Sequence, residues 1–158
     1  MVNKELKNAV IRKMKINIDT ITRASKELIG NIIRTPTIRS QHLSSEINGE
    51  VFLKLENLQY TSSFKVRGAY TSIIHLKEEQ KKMGVIAMSA GNHAQAVAWW
   101  AKKERVNATI VMPEHAPLFK VMKTKSLGAD VILRGRTLNE SQTYVSELVN
   151  DKKLTLIH

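Results

Sequence analysis

From Gly84 to the C-terminus the sequence keeps a beat that few folds can satisfy. Four short apolar runs, Val85 to Ser89, Thr109 to Pro113, Asp130 to Arg134 and Leu154 to His158, start a little over twenty residues apart. That interval holds one helix and two tight loops, the requirement for strands joined by right-handed crossovers into a parallel sheet. Four strands and three helices are expected. The first helix, Asn92 to Lys103, sets Ala94, Val97, Ala98 and Ala101 at three- and four-residue spacing, a face suited to packing on a sheet. Pro117 opens the second, where a missing N–H costs nothing, and Gly128 closes it. The third runs from Leu138 to about Asn150, with Thr137 as its cap.

The chain before Gly84 is organised differently. Asp19 to Asn31 has helical periodicity through Ile21, Ala24, Leu28 and Ile32, and Arg34-Thr35-Pro36 stops it, because a residue before proline is pushed out of the helical region. Glu50 to Glu56 alternates Val51, Leu53 and Leu55 with polar residues, as a half-buried strand does. Asn57 to Ser63 reads as a polar loop, and Gly68 to Lys82 as one helix with an apolar and a charged face.

At 158 residues the chain can bury one core, short of the ~250 to 300 at which chains usually split. It has no cysteine, which excludes disulfides, thiolate metal sites and a cysteine nucleophile within it. Its apolar runs fall far below the ~18 residues a membrane span needs. Met1 to Ile18 scatters Lys4, Lys7, Arg12, Lys13 and Lys15 among single apolar residues, so a cytoplasmic start is expected rather than a secretory signal. The formal charge of +11 raises nucleic acid as a partner, but the cations are dispersed and only 5% of residues are aromatic and able to stack on bases. A solvated basic surface is the simpler account.

Two stretches could carry chemistry. In Ser63-Phe64-Lys65-Val66-Arg67-Gly68 a lysine stands between a polar loop and a helix, directly behind an aromatic ring. Partial desolvation there would leave more neutral amine for a Schiff base. A lysine taken alone is most often a solvated surface group, and Lys65 is one of seventeen. In Met88-Ser89-Ala90-Gly91-Asn92-His93-Ala94-Gln95 small residues end a strand and open a helix. Backbone N–H groups at such a turn can receive an anion such as a carboxylate, and Asn92 can add a directed hydrogen bond. A plain strand-to-helix turn, with Gly91 for backbone freedom and Ser89 or Asn92 as cap, explains the same residues. His93 has no partners at metal-ligand spacing and reads as structural, so no metal site is expected.

In order and spacing, Ser63-Phe64-Lys65-Val66-Arg67-Gly68-Ala69, then Ser89-Ala90-Gly91-Asn92-His93-Ala94-Gln95, then Met112-Pro113 with Pro117 and Lys120, then Gly128-Ala129-Asp130-Val131 resemble the threonine and serine dehydratases. These are pyridoxal-phosphate enzymes of the tryptophan-synthase β type, and the resemblance runs from about Asp19 to His158. It implies an α/β fold in which residues 1–77 are the N-terminal part of a large, lysine-bearing domain and 78–158 a small parallel-sheet domain. It further implies that Lys65 binds the aldehyde of pyridoxal 5'-phosphate and shuttles the substrate α-proton. Phe64 would lie against the pyridine ring and Asn92 would meet the phenolic oxygen. Ser89, Gly91, Asn92 and His93 would grip the carboxylate of a small amino-acid substrate, mainly by backbone. The implied reaction takes L-threonine or L-serine to a 2-oxo acid and ammonia.

Single positions separate the relatives. Threonine and cysteine synthases carry an aspartate after the lysine, where this chain has Val66; serine racemases place a proton-transferring serine where it has Ala90. Ser62 and Ala96 stand where glycines are common in part of the family. The larger departure concerns the cofactor phosphate, which the family clamps with a glycine-rich loop. The glycines here are Gly30, Gly49, Gly68, Gly84, Gly91, Gly128 and Gly135, no two of them adjacent. The chain is therefore expected to be the front part of an enzyme, inactive alone, a homo-oligomer when intact. The alternatives are a non-catalytic remnant and one half of a split enzyme, whose partner is a separate chain carrying the missing half. Apolar surface around a front strand, Val51 to Leu55, without sheet partners is expected to favour self-association.

Overall fold

A computed structural model of the chain describes residues 16–158, and the chain groups into two compact units, Met1–Asn31 and Ile32–His158. The expectation for the N-terminal residues up to Ile18 falls almost wholly outside the described residues.

In the first unit, α1 (Ile18–Glu27) begins at a reciprocal cap. Asn17 Oδ1 accepts the Thr20 N–H at 2.9 Å and Thr20 Oγ1 accepts the Asn17 N–H at 3.1 Å. Such a box satisfies two of the donors that the first turn leaves without helical partners. The helix stops four residues before the expected Asn31. The Ile29 N–H shortens its reach to Lys26 O, Gly30 takes φ +79, and Asn31 Nδ2 covers the Glu27 carbonyl at 3.0 Å.

The second unit opens with a feature too short to leave a periodic signal. Strand β1 (Thr37–Arg39) pairs antiparallel with β2 (Phe52–Lys54), Ile38 standing opposite Leu53, and α2 (Gln41–Glu46) bridges them behind the cap residue Ser40. The expectation that the front strand lacks partners is thus corrected. So is its half-burial: all three residues of β2 are exposed, Phe52 by 57%.

A 3-10 turn (Glu56–Leu58) then leads to α3 (Lys65–Ile74) and α4 (Glu78–Met83). The single helix expected over Gly68 to Lys82 is two. α3 starts three residues earlier, at Lys65, and breaks at His75, where the Leu76 N–H turns back to Ile73 O and Leu76 is buried. α4 restarts with Gln80 Oε1 accepting the Lys77 N–H.

The parallel sheet is as the spacing predicts. β3 (Val85–Met88), β4 (Ala108–Met112), β5 (Asp130–Leu133) and β6 (Thr155–Leu156) lie in the order β5-β4-β3-β6, every pair parallel. The last strand is two residues long, shorter than expected. Between them run α5 (Asn92–Lys103), α6 (Leu118–Ser126) and α7 (Leu138–Lys152). Right-handed crossovers in this order place α5 and α6 on one face and α7 on the other. The central strands are accordingly buried on both sides: Val85, Ile86, Ala87, Ile110, Val111 and Met112 are inaccessible. Ile86 and Val111 meet Val145 and Leu148 of α7.

The helix ends follow from named residues. Thr137 Oγ1 accepts the Glu140 N–H, and Glu140 Oε2 accepts the Arg136 N–H, fixing the start of α7. Gly128, φ +101, follows α6, and a Cβ there would stand 2.8 Å from Lys102 Cδ. α3 packs on α5 through its buried Val66, Ala69, Tyr70 and Ile73, with Trp100 Nε1 donating to Val66 O at 2.8 Å and the Tyr70 and Trp100 rings 4.5 Å apart.

Candidate active site

Lys65 is the first residue of α3, so its placement depends on the loop before it. That loop is far less solvated than its polar composition suggests. Gln59, Thr61 and Ser63 are buried, whereas Phe64 and Lys65 are exposed. Gln59 spends its carboxamide on the backbone of Ile33, accepting the Ile33 N–H at 3.2 Å and donating Nε2–H to Ile33 O at 2.6 Å. Ser62 takes φ +56, a left-handed conformation that costs a residue with a Cβ roughly 1–2 kcal/mol. Ser63 Oγ accepts the Lys65 N–H, and the Lys65 ammonium lies 5.2 Å from the centre of the Phe64 ring. The Thr61 hydroxyl is buried and has no hydrogen-bond partner among the described residues.

An ion pair fastens the two ends of this loop. Arg67, in the first turn of α3, sends Nε and Nη2 to the two oxygens of Glu56, each at 2.8 Å. Glu56 Oε1 also accepts the Thr35 hydroxyl at 2.6 Å, while Lys54 Nζ donates to Thr35 O. The hydrogen bonds from Arg67 hold the Glu56 carboxyl well below its usual range, near 2, and the carboxylate raises Arg67 in turn. Sequence reading did not single out this pair. The signal available was only an acid and a base eleven residues apart on either side of a polar loop.

The second group sits where β3 hands over to α5. Ser89 donates its own N–H to Val111 O in the sheet, and Ser89 Oγ accepts the Gly91 N–H at 3.1 Å. Two of the four N–H groups proposed for a carboxylate are therefore already engaged. Among the described residues those of Asn92 and His93 are not, and no side chain caps α5. The Asn92 side chain is exposed, and a Cβ at Gly91 would meet only Ser89 Oγ, at 4.0 Å. The His93 ring turns inward. Its Nε2 lies 3.1 Å from Ile157 O, so Nε2 must carry the proton, and the imidazole ties α5 to the chain just beyond β6. The structure brings Phe64 to Lys65, and Ser89, Gly91, Asn92 and His93 to one turn. No hydrogen bond links Lys65 to Asn92 among the described residues; what joins the two groups is α3 packed on α5.

An exposed primary amine beside an exposed aromatic face, and an uncapped helix N-terminus with open space before it, suit an aldehyde-bearing aromatic ring and a carboxylate. The residues fit the ring end of pyridoxal phosphate.

Known proteins point to the same cofactor. The profile of the family described as pyridoxal-phosphate dependent enzyme matches residues 28–158. The chain is 50% identical over 144 residues to a protein of Staphylococcus aureus named catabolic L-threonine dehydratase TdcB, covering 90% of this chain and 42% of that one. It spans less than half the length of the curated relatives it matches. Among solved structures, maize serine racemase superposes with a TM-score of 0.85 at 33% identity over 92% of this chain and 44% of its own. Threonine deaminase isoform 2 of Solanum lycopersicum does so at 0.79 and 34%, over 90% and 41%.

Proposed function

We propose, from the fact that this chain belongs to the pyridoxal-phosphate-dependent enzyme family, that it carries the aldehyde-binding lysine of an enzyme that dehydrates and deaminates L-threonine or L-serine. The observation that carries the proposal is Lys65, exposed on the first turn of α3 with Phe64 beside it in a loop whose neighbours are buried.

Lys65, Phe64 and Asn92 would hold the cofactor, which when bound supplies an electron sink conjugated to the substrate amine. The remaining chemistry belongs to this chain's own groups. Lys65 Nζ moves the proton at the substrate α-carbon. The free N–H groups of Asn92 and His93, with the partial positive charge of the α5 terminus, orient the substrate carboxylate. The Ala90 methyl offers no acid or base, so a second proton transfer at the α-carbon has no agent there, and loss of the β-hydroxyl is favoured over inversion. A serine racemase reading, which the maize structure invites, meets that obstacle. The relatives named as catabolic favour a degradative role over isoleucine biosynthesis. Residues 1–77 are assigned to a large domain and 78–158 to a small one. For the 158-residue chain on its own, weak cofactor retention is expected, since no described segment offers adjacent glycine N–H groups for the phosphate.

A chimera tests the function. With this chain replacing the matching 144 residues of the S. aureus relative, L-threonine should yield 2-oxobutanoate, and Lys65→Ala should abolish it. Conversion of L-serine to D-serine without 2-oxo acid would overturn the reading.

A further inference from the structure

Stability alone does not account for the two-pronged geometry of the Glu56–Arg67 pair. Both side chains are withdrawn from water, Glu56 to 15% and Arg67 to 32% exposure, and a desolvated ion pair contributes little beyond what apolar residues of the same volume would. What a two-pronged guanidinium–carboxylate contact does supply is direction, because both N–H vectors must line up with both oxygens. Here that direction is transmitted to one place. Arg67 is the third residue of α3 and Lys65 the first, on a helix whose N-terminus has no side-chain cap bond. Ser63 Oγ meets the Lys65 N–H at a long 3.4 Å, and Trp100 Nε1 holds the Val66 carbonyl between them at 2.8 Å on the α5 side. Glu56, in turn, is anchored by Thr35, whose carbonyl is held by Lys54.

We propose that Glu56 and Arg67 are positioning residues for Lys65: the paired prongs fix the first turn of α3 so that the Lys65 amine is presented at one angle to an aldehyde docked on Phe64. This rests on the reading of Lys65 as the cofactor lysine. Pyridoxal phosphate needs that angle, since a reacting group misplaced by about 1 Å can lose on the order of a hundredfold in rate. A small acylating reagent approaching an exposed amine from solvent does not.

The difference provides the test, on the full 158-residue chain. Glu56→Gln, Arg67→Lys and the double variant Glu56→Gln/Arg67→Gln are compared with wild type, with circular dichroism and thermal midpoint as controls for folding. The first readout is the rate of borohydride trapping of pyridoxal phosphate at Lys65, mapped by mass spectrometry and divided by the mean for the other sixteen lysines. The second is the acetylation rate of Lys65 by acetic anhydride. In Glu56→Gln the trapping ratio should fall about tenfold while acetylation changes less than twofold; Arg67→Lys should be intermediate. The double variant should lose no more than Glu56→Gln alone, as members of one device do. A wild-type ratio near one would refute the lysine assignment itself and the proposal with it. A high wild-type ratio kept within twofold in folded Glu56→Gln would refute only the positioning role. If Glu56→Gln does not fold, Arg67→Lys decides by the same criterion.

Discussion

Ser62 illustrates how a single position carries both ancestry and strain. The resemblance implies a glycine there in part of the family, and φ is +56, where a Cβ crowds the backbone. Ser62→Gly should raise stability by about 0.5–1 kcal/mol, seen as an upward shift of the thermal midpoint. Glu56 makes a second prediction. Its carboxyl is held near 2 against an ordinary 4.5, so the folded state binds that proton less readily than the unfolded one. The stability it contributes is complete above about pH 4.5 and drains away as pH falls toward 2. With Arg67 a third exposed, the contribution is on the order of 1–3 kcal/mol. Glu56→Gln should flatten the acid limb of a denaturation-versus-pH curve in that window; an unchanged limb would show that the pair is not coupled to folding. Lys65 and Asn92 stood out in the sequence because their motifs are local. Glu56 and Arg67 did not, because their pairing exists only once the loop between them has folded.

Among the elements, those with a period long enough to read were the ones the sequence revealed. The three crossover helices and four parallel strands were legible because burial on both faces imposes continuous apolar runs at crossover spacing. β1 was not, since three residues between Pro36 and the cap Ser40 show no alternation, and without it β2 seemed to lack a partner. The break at His75 escaped because Leu76 reaches the core by leaving the helix, a choice that tertiary packing makes and local propensity does not. The end of α5 offers a test at this scale. The Val106 N–H returns to Ala101 O at 2.8 Å and the Arg105 N–H to Lys102 O, a closing motif that normally places glycine where Arg105 stands at φ +57. Arg105→Gly should stabilise the protein by about 0.5–1 kcal/mol in chemical denaturation, with the slope unchanged.

For the whole molecule, the formal charge of +11 has a partly local explanation. Lys102 and Lys103 close α5, Lys123 and Lys125 close α6, and Lys152 closes α7, where the negative ends of helix dipoles favour cations. Among the described residues no helix is long and apolar enough to cross a membrane. The parallel sheet and its helices set the Ser89–His93 turn at the end of β3, and the α3–α5 contact ties the helix that begins at Lys65 to the same layer. The proposed chemistry therefore turns on one amine. The most direct measurement is reduction of the purified chain with borohydride in the presence of pyridoxal phosphate, followed by peptide mapping. Lys65 should take most of the label, and Lys65→Arg should lose it without transferring it to a neighbour; label spread evenly over the exposed lysines, or undiminished in Lys65→Arg, would contradict the assignment.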